Sequence, residues 1–228
     1  MFAPKLVVNR YGLIVIAIVV GLTFKALPFN ALFDRGGYIK AGAEKPLLLE
    51  DLTAFEAYTE TMRDGDIIFR GRKKGWGNLA SALSDQDQRY GHVGVIRREG
   101  QTIYVIHASG DPLQPEGRVR EDSLQDFLAR SERSGVYRLP LNASELTQFR
   151  DKIRQALVIR LPFDRAYSLQ SETSVYCTEL IWRAWVETTQ KDPVLVKTRW
   201  RNKNVLALDD LQFAQGVVLI AEIDILVN

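Results

Sequence analysis

The chain has 228 residues, of which 46% are hydrophobic and 25% are charged. This length and balance predict one globular domain with a sizeable core plus a short appendage, and they exclude a disordered, collagen-like or multi-span membrane protein. With 30 basic against 28 acidic side chains the net charge is +2, which is too small to indicate binding of nucleic acid.

An uncharged apolar run, residues 11–24 (YGLIVIAIVVGLTF), follows Lys5 and Arg10 near the start of the chain. Basic residues before an apolar stretch are typical of a secretory signal, and flanking apolar residues extend the run to the roughly 20 that a bilayer requires. The nearest small-x-small cleavage sequence, residues 41–43, lies far downstream. We therefore expect residues 1–29 to be an uncleaved signal anchor in the inner membrane, with a cleaved signal peptide and a buried core helix as the alternatives. The positive-inside tendency then places the remaining chain in the periplasm.

The sequence predicts a linker and a juxtamembrane helix over residues 30–60, with the helical pattern over 47–62. Residues 61–228 are predicted to form the globular domain. Apolar stretches between turn residues predict strands over residues 66–69, 93–98, 102–108, 136–141 and 217–223. Apolar residues at helical spacing predict helices over 124–128, which Ser123 caps, and over 144–157 and 177–188. Antiparallel strands with separate helices indicate the α+β class, a central antiparallel sheet packed with helices.

The only two histidines, His92 and His107, fall on the two strands of one predicted hairpin. If Glu99 and Gly100 are the two loop residues, His92 lies directly opposite His107, on the same face of the sheet. Lone strand histidines are usually structural, and two opposed histidines could also bind a metal weakly.

The only cysteine, Cys177, opens the predicted helix over 177–188, with Ser174 as its expected cap. A single cysteine excludes an intrachain disulfide and a cysteine-based zinc site. In a first helical turn the helix dipole and free backbone N–H groups favour the thiolate, and a histidine beside it would favour an ion pair. Cys177, His92 and His107 could therefore serve as nucleophile, base and orienting group, although a cysteine at this place is more often a small buried hydrophobe.

Four short segments of the chain resemble motifs of a known family. Residues 65–69 (GDIIF), 91–95 (GHVGV) and 105–108 (VIHA) resemble the strand motifs of NlpC-type, papain-like cysteine peptidases. Residues 176–181 (YCTELI) resemble the nucleophile's helix, which in this chain follows the strands instead of preceding them. This order resembles the circularly permuted branch, the YiiX/YebB/YaeF-like hydrolases, and it is also similar to the lecithin retinol acyltransferase group.

The resemblance implies a circularly permuted papain-like α+β fold in which Cys177 is the nucleophile, His92 the base and His107 the group that orients the base. That third position is often acidic in the family. Residues 161–164 (LPFD) resemble a Tyr-Asp segment, from which Phe163 departs, and Asp164 is a candidate for shaping the site. The backbone N–H of Cys177 is expected to contribute to an oxyanion hole.

The function expected from this reading is a cysteine hydrolase that cleaves amide bonds of cell-wall peptides in the periplasm through a thiol acyl-enzyme. A lipid acyl hydrolase or acyltransferase is one alternative, since a membrane tether and the basic stretch at Lys197, Arg199, Arg201 and Lys203 would suit anionic headgroups. A non-catalytic binding module on the same fold is the other. The loop over residues 71–90, with Trp76, is expected to border the cleft. We expect no cofactor, no metal and no nucleic-acid partner.

Overall fold

The computed structural model describes residues 49–71, 83–110, 116–129 and 131–225. These fall into two units that divide between Glu60 and Thr61. The described part of the first unit is helix α1 (Leu49–Glu60), which lies where the sequence predicts a helix. The linker, the apolar run over 11–24, and Trp76 with most of the predicted cleft loop lie outside the described residues. In the part that is described, no helix has the length and apolarity to cross a membrane.

The second unit contains eight strands and four helices among its described residues. The strands are β1 (Ile67–Gly71), β2 (His92–Glu99), β3 (Thr102–Ser109), β4 (Arg118–Ser123), β5 (Arg133–Arg138), β6 (Thr198–Trp200), β7 (Lys203–Val205) and β8 (Val218–Asp224). The helices are α2 (Leu124–Leu128), α3 (Ala143–Val158), α4 (Cys177–Thr189) and α5 (Leu208–Gln212).

Six of the strands form one sheet in the order β4-β3-β2-β1-β5-β8, and every neighbouring pair is antiparallel. The predicted α+β class with a central antiparallel sheet is therefore confirmed. Strands β6 and β7 form a separate hairpin. Its turn residues Arg201 and Asn202 have φ values of 46° and 64°, the left-handed conformation that tight hairpin turns require.

The main core lies between one face of the sheet and the helices α3 and α4. It includes Val93 and Ile106 from the sheet, Phe149 from α3 and Ile181 from α4, all almost fully buried. Each such side chain contributes roughly 1.5–3 kcal/mol relative to an exposed one. Helix α3 begins at a capping box formed by Asn142 and Glu145, which satisfies backbone N–H groups at the helix start.

Helix α2 packs near the two histidines. Ser123 caps it as predicted, accepting a hydrogen bond from the backbone N–H of Asp126. Its buried Phe127 ring lies 5.7 Å from the ring of His92 and 5.2 Å from that of His107, between centroids. Because successive side chains of a strand point to opposite faces, these histidines do not share the face of their core neighbours along β2 and β3.

Two features of the sheet differ from the prediction. The strand expected over 136–141 corresponds to β5, which begins earlier and ends at Arg138. Pro140, two residues further on, has no N–H group with which to continue the ladder. Strand β4 has no counterpart among the predicted strands, because its sequence RVREDS contains a single buried apolar residue, Val119. This omission matters for the site, since β4 pairs with β3 beside His107.

Candidate active site

The hairpin of β2 and β3 carries both histidines, but its register differs from the prediction. Glu99 pairs with Thr102, so the two-residue loop begins at Gly100 rather than at Glu99. Gly100 has a φ of 58°, the left-handed conformation that a type II′ turn needs at its first loop position and that glycine adopts without strain. The predicted direct opposition of His92 and His107 is therefore wrong.

The two histidines are neighbours nevertheless. Extending the observed register places Gly94 opposite His107, in agreement with a Cβ built on Gly94 lying 3.1 Å from the Cβ of His107. His92 is then a diagonal neighbour of His107, a separation that aromatic side chains can bridge. The rings are 4.9 Å apart between centroids, and Nε2 of His92 lies 2.8 Å from Nδ1 of His107.

A carboxylate that the sequence did not predict is hydrogen-bonded to the histidine pair. Nε2 of the buried His107 lies 2.9 Å from Oδ2 of Asp122, on β4. Arg120 donates from Nε to the other oxygen, Oδ1 of Asp122, over 2.7 Å. The only signal for this arrangement in the sequence is the period-two spacing of charged residues in RVREDS, which by itself does not show that they lie on a strand.

These hydrogen bonds fix the positions of the imidazole protons. Burial alone would raise the pKa of Asp122, but hydrogen bonds and charge from His107 and Arg120 outweigh it and hold that pKa below its ordinary value. The ionised carboxylate can only accept, so His107 carries its proton on Nε2. Nδ1 of His107 then accepts from Nε2–H of His92. The lone pair of His92 is left on Nδ1, where it can act as a base.

Both imidazoles are neutral at physiological pH. Burial lowers the pKa of His92 well below its ordinary value, and the nearby charges of Arg70, His107 and Arg120 lower it further. Burial also lowers the pKa of His107, although Asp122 opposes the shift. A resting imidazolium is therefore disfavoured at either position.

Cys177 is the first residue of α4 and is only 4% exposed. Ser174 does not cap this helix as predicted, since its hydroxyl lies 2.6 Å from that of Ser171. The side chain that reaches the helix start is instead the buried Glu179, which accepts a hydrogen bond of 3.2 Å from the backbone N–H of Tyr176.

The residues on either side of Cys177 are both hydrogen-bonded to the backbone of Leu206. The Tyr176 hydroxyl accepts the Leu206 N–H over 2.8 Å, and the Thr178 hydroxyl donates to the Leu206 carbonyl over 2.7 Å. All three partners are buried. Because both neighbours of the cysteine are held, the first turn of α4 has little freedom to move.

The sheet opens next to the thiol. Pairing between β2 and β3 ends at Val95 and Ile106, although β2 itself begins at His92. Ile96 donates its N–H to Asp66, on the β1 side, so the N–H of Val93, three residues away, points to the opened side. There it hydrogen-bonds to the sulfur of Cys177.

The thiol is nevertheless a weak acid in this setting. Burial raises the pKa of Cys177 to about 11, a larger effect than the lowering by the N–H groups of Thr178, Val93 and Cys177. The thiol is therefore protonated at neutral pH, and the predicted preference for a thiolate is wrong. The dipole argument considered the helix start alone and left out the cost of burying the charge.

The structure thus joins His92 to His107 and places Cys177 against the residue that follows His92. Within the described residues, no hydrogen bond links the Cys177 sulfur to either imidazole. Asp164, the other candidate, is buried and accepts the backbone N–H groups of Ala166 and Ser168, so it shapes the segment before Cys177. The catalytic roles of Cys177, His92 and His107 remain predictions.

The fold is similar to that of solved structures. The metalloprotein yiiX from Escherichia coli O157:H7 is one of them, with a TM-score of 0.56 and 19% identity over 71% of this chain and 97% of that one. Within the described residues of this chain, no group of three His, Cys, Asp or Glu side chains is arranged to hold a metal ion. No curated protein sequence matches the chain.

A family model matches residues 61–207, which is most of the chain, and its description is "permuted papain-like amidase enzyme, YaeF/YiiX, C92 family". The matched span contains the β2–β3 hairpin, β4 and the first turn of α4. The resemblance found in the sequence is thereby confirmed, as is the expectation of an enzyme. The chain belongs to the permuted papain-like amidases of the YaeF/YiiX family.

Proposed function

We propose that the chain is a cysteine amidase in which Cys177 is the nucleophile and His92 is the general base. The observation that carries this proposal is the hydrogen-bonded series Asp122–His107–His92. It leaves a lone pair on Nδ1 of His92, and the next residue along β2, Val93, contacts the thiol. A nucleophile, a base and a group that fixes the base are the parts that acyl transfer requires.

The reaction starts from a neutral thiol and a neutral imidazole. The proposal requires the His92 imidazole, which leaves β2 on the other face from Val93, to reach the Cys177 sulfur at the open end of the sheet. Nδ1 of His92 then takes the proton of Cys177 as the sulfur attacks the substrate carbonyl carbon, and the carbonyl electrons move to the oxygen. Collapse of this intermediate breaks the C–N bond, and the imidazolium returns its proton to the departing amine. His92 then deprotonates a water that attacks the thioester, which releases the acid and restores the thiol. Asp122 stabilises the transient positive charge through His107.

The substrate is an amide of a cell-wall peptide, and the domain faces the periplasm. Support for the amide comes from the family, whose description is that of amidases. Support for the location comes from the apolar run over residues 11–24 after Lys5 and Arg10, the pattern of a signal anchor. Such an anchor would hold the domain between the inner membrane and the wall.

The nucleophile can be tested on the full-length protein with p-nitrophenyl acetate. We expect a burst of one p-nitrophenolate per chain and an acetyl group on Cys177 by mass spectrometry. Cys177→Ala and His92→Ala should abolish the burst. Gln101→Ala, an exposed change in the loop of the same hairpin, should leave it unchanged. A parent protein without a burst contradicts the proposal.

The substrate class needs a separate experiment. Purified muropeptides incubated with the full-length protein should give products of amide cleavage by mass spectrometry, and these should be absent with Cys177→Ala. Acetylation by the ester without cleavage of any muropeptide would leave the nucleophile in place and overturn the cell-wall substrate.

A second candidate, hydrolysis of lipid acyl groups, is favoured by one surface feature. Leu195 and Val196 are consecutive and each is 83% exposed. They precede the basic β6–β7 hairpin, in which Arg199 and Arg201 are also exposed. Exposed aliphatic side chains beside basic ones suit an anionic lipid surface.

This candidate predicts release of fatty acid from phosphatidylglycerol in mixed micelles. The double variant Leu195→Ser/Val196→Ser should lower that release, whereas Val158→Ser, at a position that is 80% exposed on α3, should not. Equal release by all three proteins, or none by the parent, would dismiss the lipid candidate.

A further inference from the structure

A surface cavity with a volume of about 360 Å³ lies between the start of β4 and the segment that follows α3. Three arginines line it, Arg118, Arg160 and Arg165, and Glu116 is the only acidic side chain among the described residues of its wall. The Glu116 carboxylate is 89% exposed and lies 3.7 Å from Nη1 of Arg118, beyond hydrogen-bond distance. The cavity therefore has an excess of positive charge, which its concave wall focuses.

Two backbone hydrogen bonds join the pieces of chain that carry these arginines. Val119 donates its N–H to Leu161 and Phe163 donates its N–H to Gly117, each over 2.8 Å. The Phe163 side chain packs onto Gly117, where an added Cβ would lie 2.9 Å from the Cβ of Phe163. The guanidinium groups therefore extend from two segments in a fixed register.

Arg160 occupies a backbone position that favours glycine. Helix α3 ends in a Schellman motif, in which the N–H of Leu161 donates to Ala156 and the N–H of Arg160 donates to Leu157, each over 3.0 Å. Arg160 has a φ of 51°, the left-handed conformation in which a residue other than glycine is strained. An arginine that breaks this local rule beside a charged cavity points to a use for its guanidinium group.

Phe163 connects the cavity to the start of α4. The N–H of Val175 donates to Pro162 over 2.9 Å and the N–H of Asp164 donates to Val175 over 3.0 Å, so Phe163 and Val175 form a parallel bridge. Paired strands lie about 4.8 Å apart and each residue advances about 3.3 Å, so the Cα atoms of Phe163 and Cys177 are at most about 12 Å apart. An extended peptide of about three or four residues spans this distance.

Guanidinium groups bind carboxylates through paired, charge-assisted hydrogen bonds. We propose that Arg118, Arg160 and Arg165 bind a free carboxylate of the substrate, so that the enzyme selects anionic peptides. This inference rests on the proposed function, since it takes a peptide amide as the substrate and Cys177 as the nucleophile. The arginines determine which substrate is held and take no part in breaking the bond.

The test measures acylation of the full-length protein by pairs of p-nitrophenyl esters. Mono-p-nitrophenyl glutarate, adipate and suberate carry a carboxylate at increasing distance from the ester, and each is paired with the neutral ester of the same carbon number. At the length that reaches the cavity, we expect the anionic ester to react at least about tenfold faster than its neutral partner. Arg118→Gln and Arg160→Gly should each lower that ratio at least about threefold and leave the neutral rate within about twofold of the parent's.

Arg154→Gln is the matched control, because it removes the same charge from an exposed position of α3 outside the cavity. It should leave the ratio unchanged. Arg160→Gly should unfold at a temperature no lower than that of the parent, since glycine adopts this backbone conformation without strain. A lost preference in that variant then cannot come from a damaged fold.

Each other outcome is decisive. Equal rates for the two esters of every pair would overturn the inference and leave the proposed function intact. A preference that survives in both cavity variants, or that Arg154→Gln reduces to the same extent, would also overturn it, because the cavity would then not be what binds the carboxylate. Acylation by none of the esters would contradict the proposed function and the inference with it.

Discussion

The hydrogen bonds around Asp122 predict what an asparagine would do in its place. Arg120 donates to Oδ1, so in Asp122→Asn the new amide oxygen must face Arg120 and the new NH₂ group must face His107. Nε2 of His107 then has to accept, and its proton moves to Nδ1. That proton is donated to Nε2 of His92, whose own proton moves to Nδ1, the atom assigned as the base.

Asp122→Asn should therefore leave the fold intact and remove the base. The rate of acylation by p-nitrophenyl acetate should fall by about 10²–10⁴-fold. The upper value is the loss that a wrong histidine tautomer causes in a catalytic triad. The control is Asp224→Asn, which breaks the Arg133 ion pair at the far edge of the sheet and should leave the rate unchanged.

A double variant tests whether the histidine tautomers cause the loss of rate. Without Arg120 the introduced amide can rotate and offer its oxygen to His107, which restores the original tautomers. Arg120→Ala/Asp122→Asn should therefore acylate at least about tenfold faster than Asp122→Asn. The reasoning is refuted if folded Asp122→Asn acylates within about threefold of the parent, or if the double variant is the slower of the two.

Three further measurements test the site and its surroundings. The pKa of about 11 for Cys177 predicts that iodoacetamide alkylation rises about tenfold per pH unit from pH 7 to 10, and a plateau in this range would contradict it. Burial raises the pKa of Glu179 from 4.5 to about 7, so the folded state favours the protonated carboxyl. The free energy contributed by Glu179 is therefore fully present below pH 4.5, and about 3 kcal/mol of it is lost as the pH rises through 7. Urea unfolding should show this loss in the parent and not in Glu179→Gln. Gly94→Ala would place a Cβ 2.4 Å from Val105 and 3.1 Å from His107, so we expect a loss of about 1–3 kcal/mol in urea unfolding and slower acylation, and equal stability would contradict that contact.

Local signals in the sequence locate most of the elements that build the site. Apolar alternation and a glycine turn predict the β2–β3 hairpin, and helical spacing predicts α4 with Cys177 at its start. Ser123 is likewise correctly predicted as the cap of α2. Each of these features depends on residues close together in the chain, so a single sequence contains the information.

Three features are missed or wrong, and two of them depend on residues distant in the chain. The predicted register is wrong by a small step because Gly100, and not Glu99, takes the left-handed position of the turn. Asp122 escapes prediction because β4 is stabilised by its ladder to β3, which no apolar pattern indicates. The predicted acidity of Cys177 is wrong because burial depends on how α4 packs against the sheet. Tertiary contacts decide the last two properties, whereas the register is decided locally by the turn.

The neutral state of the resting thiol has a consequence for an enzyme with one cysteine. Oxidation and alkylation proceed through the thiolate, and a thiol with a pKa of about 11 that is 4% exposed offers almost none at neutral pH. Burial also lowers the pKa of His92, which keeps its imidazole unprotonated, as the proposed base must be. If Cys177 and His92 act as proposed, proton transfer between them becomes favourable only when a carbonyl is present to take up the negative charge. In the proposed mechanism, burial therefore protects Cys177 between turnovers and ties its activation to the arrival of substrate.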